Sequence, residues 1–197
     1  MVMRRHAFSL VELLVVIGII AVLMGLLLPV MSKARQASRR TACRAQLRDI
    51  GSLFQMYLND NRQRVPRVNP MPSLRPPLVD APSIFEVLDR YTKGSRGVWR
   101  CPADRIMQDL RPDGHQTYFE REGGSYEYNA FFNAFAFDPL SGVNKVWTDA
   151  LGDAKRHGRP PERLVIFRDF EPFHGRAGHP GAMNCLFADF HAGDARD

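Results

Sequence analysis

The sequence predicts an α+β fold, a long N-terminal helix followed by a small antiparallel sheet, and three observations carry that prediction. Residues 13–31 hold no charged side chain. Apolar residues then recur at helical spacing as far as residue 57. Beyond residue 62 they fall into short runs separated by Pro- and Gly-rich turns, the pattern of brief strands. With 197 residues in all, there is room for one membrane segment and one modest water-facing domain.

The first element is the apolar run. Its 19 residues, 13–31, would extend ~28 Å as a helix, close to the hydrocarbon thickness of a bilayer. A secretory signal peptide fits poorly. The run exceeds the usual apolar core, and Ser32-Lys33-Ala34 offers no small-residue cleavage site. A plain anchor fits the length but leaves Glu12 unexplained, because a carboxylate in a membrane helix costs about 2.5–3.5 kcal/mol and normally has a partner. If the chain is cut between Ala7 and Phe8, Phe8 gains a free amine. In a stack of identical helices that amine can neutralise Glu12 of a neighbour, cancelling two desolvation penalties and fixing axial register.

The second element continues the first. Cys43, Leu47, Ile50, Phe54 and Tyr57 are spaced 4, 3, 4 and 3 residues apart, which places them on one helix face. Arg44, Arg48, Asp49 and Gln55 lie between them as a solvated face, and Asn59-Asp60-Asn61 is a stop. One helix is therefore expected from about residue 9 to residue 58, apolar all round at first and striped afterwards. Its first half suits lipid, its second half the surface of a head domain.

The head begins with a connector. Residues 65–82 contain six prolines, at 66, 70, 72, 76, 77 and 82, and are expected to be irregular or extended. Ser83-Ile84-Phe85-Glu86 matches a capping box and opens a short helix to about Tyr91, ended by Gly94. Strands are expected at 98–101, 125–132, 164–167 and 183–187, and a polar surface loop at 106–123.

The net charge of +6 does not indicate a nucleic-acid partner. Of the 27 basic residues, 23 are Arg, spread along the chain and not interleaved with aromatics. The one dense group, Lys33, Arg35, Arg39, Arg40, Arg44 and Arg48, follows the apolar run and suits anionic lipid head groups. By charge alone the C-terminal side would be cytoplasmic. Long hydrophilic domains translocate largely regardless of that bias.

Cysteine chemistry is sparse. Cys43, Cys101 and Cys185 include no CxxC pair and no zinc spacing. Cys43 reads as a small buried residue of the apolar stripe. If it is bridged, Cys101 is the first candidate partner and Cys185 the second. No Gly-x-Ser-x-Gly, P-loop or paired-carboxylate pattern marks an enzyme. Phe131, Phe132, Phe135 and Phe137 read as core, or in part as a subunit contact.

The segment Ala7-Phe8-Ser9-Leu10-Val11-Glu12, behind a short basic leader, resembles the cleavage and methylation signature of type IV prepilins and type II secretion pseudopilins. The resemblance implies that a membrane peptidase cuts before Phe8 and methylates the new N-terminus. Pro29 falls at mature position 22, where the family often carries a helix-kinking proline, and Ala7 stands where the family most often has Gly. Residues 99–104 (WRCPAD) and 125–131 (SYEYNAF) resemble one branch of the family, which is defined by a C-terminal H-x9-D-G motif. His179 and Asp189 occupy its first two positions, but Phe190 replaces the Gly, at a turn whose positive φ a Phe adopts poorly.

The resemblance implies a leader at 1–7, an assembly helix at 8–31, an amphipathic stalk at 32–61 and a periplasmic head at 62–197. It implies a single-pass inner-membrane protein with a cytoplasmic N-terminus. Its partners would be prepilin peptidase, other pilin or pseudopilin subunits, an inner-membrane assembly platform and the lipid bilayer. The function expected is that of a structural filament subunit, with no cofactor required. The rival expectation is a membrane-anchored periplasmic binding module that never polymerises. An adhesive or DNA-uptake pilin would share the same N-terminus. His179, Asp189 and His191 form a candidate site for a divalent metal such as zinc, with Asp189, Asp194 and Asn184 as oxygen donors for calcium. The simpler expectation is that His179 and Asp189 are a hydrogen-bonded pair tying a loop to the last strand.

Overall fold

A computed structural model describes residues 10–69, 81–106, 114–129, 132, 135, 137–138 and 140–195. Two compact units divide the chain, Met1–Ser38 and Arg39–Asp197, and the boundary falls within the first helix.

Helix α1 runs Leu10–Asp60, 51 residues, with Pro29 inside it. In the first unit its surface is apolar and uncovered. The large apolar side chains between Leu10 and Met31 are 43% to 79% exposed. By length and composition this helix can cross a membrane.

The second unit holds the core. From its own stretch of α1, Cys43, Leu47, Ile50, Gly51, Phe54 and Leu58 are buried. The stripe follows the expected face, except that Leu58 replaces Tyr57 at its end and Tyr57 is half-buried. The helix stops where Asn61 folds back, its side-chain amide donating to the Tyr57 carbonyl at 2.8 Å. Arg62 and Gln63 then take positive φ, and the Gln63 N–H reaches the Leu58 carbonyl at 2.7 Å, satisfying groups left open at the helix end.

Four strands form one antiparallel sheet: β1 (Tyr126–Tyr128), β4 (Val165–Asp169), β5 (Asn184–Phe187) and β6 (Ala192–Asp194), in the order β1-β4-β5-β6. Tyr128 faces Phe167 across β1 and β4, and Cys185 faces both Arg168 and Gly193. A separate two-stranded ribbon pairs β2 (Phe137–Asp138) with β3 (Val143–Asn144). The α+β class is as the sequence predicts.

Aromatic packing joins α1 to the sheet. The Phe54 ring lies 5.8 Å from Phe167, 6.1 Å from Tyr128 and 5.7 Å from Trp147, separations suited to edge-to-face contact. Gly51 permits the approach. A Cβ at that position would lie 3.1 Å from Leu186 Cδ2 and 3.4 Å from Phe190 Cδ1.

Helix α2 (Ile84–Asp89) carries the expected capping box, with Glu86 N–H donating to Ser83 Oγ and the Ser83 N–H to Glu86 Oε2. Other expectations are corrected. Residues 98–101 are not a strand. A 3-10 turn spans Arg96–Trp99, which turns Trp99 inward to pack on Phe85 at 5.0 Å. The polar stretch 106–123 contains helix α3 (Tyr118–Glu122), started by a second capping box between Thr117 and Glu120. Helix α4 (Trp147–Arg156), unanticipated, presents buried Ala150 and Ala154. Of the connector's prolines, 70, 72, 76 and 77 lie outside the described residues.

Replacing Gly51 with Val is expected to push α1 off β5 and to destabilise the second unit by about 1–3 kcal/mol. Denaturant unfolding of the detergent-solubilised chain, followed by aromatic fluorescence, measures this. An unchanged midpoint would mean the close approach is not maintained in solution.

Candidate assembly segment and a buried polar cluster

At the N-terminal end, Ala7 and Phe8 lie outside the described residues. Glu12 is exposed in the first turn of α1, where a carboxylate also complements the positive helix end. Pro29 has no N–H to offer the Gly25 carbonyl. Three residues on, Ser32 Oγ donates to the Pro29 carbonyl at 2.9 Å. The helix passes through unbroken.

In the second unit the polar groups converge on one buried region. Asp104 is a hub. Its Oδ1 accepts the Tyr118 N–H at 3.0 Å, and its Oδ2 accepts the Phe119 N–H at 2.8 Å and the Ser125 hydroxyl at 2.6 Å. Ser125 Oγ accepts the Cys101 N–H at 3.0 Å. The two sequence patterns at 99–104 and 125–131 are therefore bound directly to each other.

A disulfide joins Cys43 of α1 to Cys101, with Cα atoms 5.2 Å apart. Beside it lies His174, its Nε2 3.5 Å from Cys101 Sγ and 3.4 Å from Asp169 Oδ2. Asp169 is wholly buried, accepts the Asn184 N–H at 2.7 Å, and has its Oδ1 without a hydrogen-bond partner. Burial pushes its carboxyl up to about 8, against the Asn184 N–H, which favours the charged form. Burial and the positive Arg40 and Arg44 push His174 down to about 4. At neutral pH this is a contact between neutral groups. Cys185 is buried in β5, outside the bridge.

The last strand is held by charge. Arg40 and Arg44, one turn apart on α1, both pair with Asp194 Oδ1, Arg44 at 2.8 Å, while Arg44 Nε donates to Asn184 Oδ1 at 3.0 Å. Partial burial opposes ionisation of Asp194, yet the bonds from Arg40 and Arg44 hold its carboxyl below the ordinary range. These two arginines of the basic group thus face the protein and not a lipid surface.

Of the three residues expected to share a metal, Asp189 and His191 meet, and His179 is not joined to them. Asp189 Oδ1 meets His191 Nδ1 at 2.5 Å, and the His191 ring stacks on Phe187 at 4.4 Å. No hydrogen bond joins His179 to Asp189, and the His179 N–H goes to the Arg176 carbonyl at 3.1 Å. His179 lines a cleft of about 100 Å³ with Gly181, Met183 and Asp194. Among the described residues, the group of His, Cys, Asp or Glu side chains close enough to share an ion is instead Cys43, Cys101 and His174. Phe190 does take the turn, at φ 67°, with its ring 5.6 Å from Trp147. Phe132 is buried, Phe135 packs near His157, Phe137 lies under Arg67, and Phe131 is outside the described residues.

His174, Asp104 and Asp169 were not singled out from the sequence. Asp104 sits inside the 99–104 pattern and so carried a signal. Asp169 and His174 carried none, since their meaning depends on neighbours far away in the chain.

Residues 2–28 match the prokaryotic N-terminal methylation motif. The chain matches no curated protein and no solved structure. The motif is that of a type IV prepilin-like substrate, which implies processing by prepilin peptidase and assembly with pilin subunits, and it points to a structural role. With the long apolar helix behind it, it fits a single-pass, membrane-anchored protein.

The two displaced pKa values set a pH profile for the disulfide-bonded chain. Asp169 has a folded value above its unfolded one, so its contribution is complete below about pH 4 and is lost as pH rises towards 8. His174 has a folded value below its unfolded one, so its contribution is complete above about pH 6.5 and is lost as pH falls through 4. The slopes oppose each other between those limits. Above pH 6.5 Asp169 acts alone, at about 1.4 kcal/mol per pH unit, which amounts to roughly 2 kcal/mol, or about 4–8 °C of melting temperature, by pH 8. Melting curves should show this decline, and Asp169→Asn should flatten it. The same decline in the variant would place its origin elsewhere.

Proposed function

We propose that this chain is a pseudopilin-type filament subunit. In this reading prepilin peptidase cuts between Ala7 and Phe8 and methylates Phe8, and the inner membrane stores the product with its head outside the cytoplasm. An assembly platform then draws it into a type II secretion-like pseudopilus or a pilus. The work is mechanical and no cofactor takes part. One observation carries the reading: the methylation motif at 2–28 runs directly into a helix whose apolar surface is uncovered around its whole circumference. Lipid covers such a surface in storage, and neighbouring helices cover it in a filament. Glu12 is the assembly residue, pairing with the Phe8 amine of a neighbour and so selecting one axial offset among many apolar alternatives. Pro29 supplies a place where the helix can bend without losing a hydrogen bond it already lacks.

The second reading, an anchored binding module, draws on the cleft of about 230 Å³ lined by Gln55, Asn59, Gln63, Trp147 and Phe190. Amides beside an aromatic pair are a usual surface for a polar ligand.

Peptide mass spectrometry on protein from its native membrane tests the first step. A chain starting at Phe8 and one methyl group heavier is expected, and an intact leader starting at Met1 would favour the anchored module. Glu12→Ala is expected to leave cleavage intact and to abolish recovery of the subunit in sheared filaments. Normal incorporation of that variant would remove the pairing role from Glu12.

A further inference from the structure

We infer that, in the dithiol state, Cys43, Cys101 and His174 form a buried zinc site, with its fourth position facing Asp169. This rests on the second unit alone and stands whether or not the chain polymerises.

The donor set is the first argument. Two thiolates and an imidazole are ligands that zinc selects, and a carboxylate or a water commonly completes its tetrahedron. Sequence spacing conceals the set, since Cys43 belongs to α1, Cys101 to the turn after Trp99, and His174 to the loop between β4 and β5. The fold brings one ligand atom from each within 4.8 Å of the others.

Geometry is the second. A zinc ion with bonds of about 2.0–2.3 Å to nitrogen and sulfur holds its ligands about 3.3–3.8 Å from one another. Two such edges already exist: Cys101 Sγ to His174 Nε2 is 3.5 Å, and Asp169 Oδ2 to the same nitrogen is 3.4 Å. Opening the S–S bond and letting the sulfurs separate to van der Waals contact gives the third.

The surroundings are the third. All three ligands are buried. Asp169 is wholly buried beside them, with Oδ1 unpartnered and Oδ2 fixed by the Asn184 N–H at 2.7 Å. A buried carboxyl oxygen with no hydrogen-bond partner is costly, and a cation beside it would supply a partner.

The bookkeeping is simple. Cleaving the disulfide takes two electrons, which a phosphine reductant supplies as it becomes the phosphine oxide. The two resulting thiols then lose their protons to solvent when zinc binds, and so does the Asp169 carboxyl where it, in place of water, fills the fourth position.

The test compares two states of the full-length, detergent-solubilised chain. One is left oxidised, and the other is reduced with a phosphine under anaerobic conditions. Each is incubated with zinc, desalted, and assayed for metal by mass spectrometry. About one zinc per reduced chain is expected, with none on the oxidised chain, whose sulfurs are consumed in the bridge. Cobalt in place of zinc should give a thiolate charge-transfer band and the intense visible absorption of a tetrahedral site. His174→Ala should weaken binding at least tenfold while far-ultraviolet circular dichroism stays unchanged. Equal zinc in both states, zinc in neither, or a cobalt spectrum with no sulfur band would overturn the assignment. If reduction unfolds the second unit, zinc should restore its near-ultraviolet spectrum, and failure to restore it would count equally against the site.

Discussion

One constraint organises the second unit: its short strands need the C-terminal stretch of α1 packed against them to complete a core. Three- to five-residue strands bury too little to stand alone. Phe54, set among Phe167, Tyr128 and Trp147, and Gly51, which lets the helix lie against Leu186, make the helix part of the core. The same chain segment therefore serves two environments in turn. It is apolar all round in the first unit, where its described side chains are exposed, and striped in the second, where the sheet covers it.

Polar groups then secure what apolar packing began. The aromatic contacts between α1 and the sheet tolerate some sliding, since apolar contact is non-directional. Arg40 and Arg44 do not tolerate it, because both converge on one oxygen of Asp194 while Arg44 also holds Asn184. Strand β6 is thereby fixed to a particular turn of α1. Asp104 does the same for the turn after Trp99, gathering α3 and Ser125 around one carboxylate. These interactions add specificity more than gross stability, which is the usual balance for partly buried charge.

Much of this was legible in the sequence wherever the signal was local. The stripe from Cys43 to Phe54, the Ser83 capping box and the apolar runs of β4 and β5 each follow from spacing within a few residues. Helix α4 is legible too: Trp147, Ala150, Leu151 and Ala154 have helical spacing. So is α3, through Thr117 and Glu120. Residues 98–101 misled because β-favouring side chains outweighed the glycines beside them, and Trp99 took the buried position through a turn. Of the site around His174, the sequence offers only the pairing of Cys43 with Cys101, as one alternative for Cys43. Arg40 and Asp194 are 154 residues apart in sequence, and Cys101 and His174 are 73 apart. No periodicity encodes such pairs. Phe190 shows the reverse limit. A left-handed backbone costs a non-glycine residue about 1–2 kcal/mol, and the ring's packing on Trp147 and over Gly51 offsets it, an exchange visible only once the chain is folded.

The bridge between Cys43 and Cys101 spans 58 residues, and its position has a mechanical meaning. Tension along the second unit's stretch of α1 meets the disulfide at Cys43, five residues past Ser38. While the bridge is closed, the pull crosses from Cys43 to Cys101 through covalent bonds and bypasses everything between them. That excluded loop holds the rest of the helix's buried stripe and all of α2, and at full extension it would measure roughly 200 Å. It cannot be drawn out. Force applied along α1 therefore bypasses Leu47, Ile50, Phe54 and Leu58, and reaches the rest of the second unit from residue 101 onward.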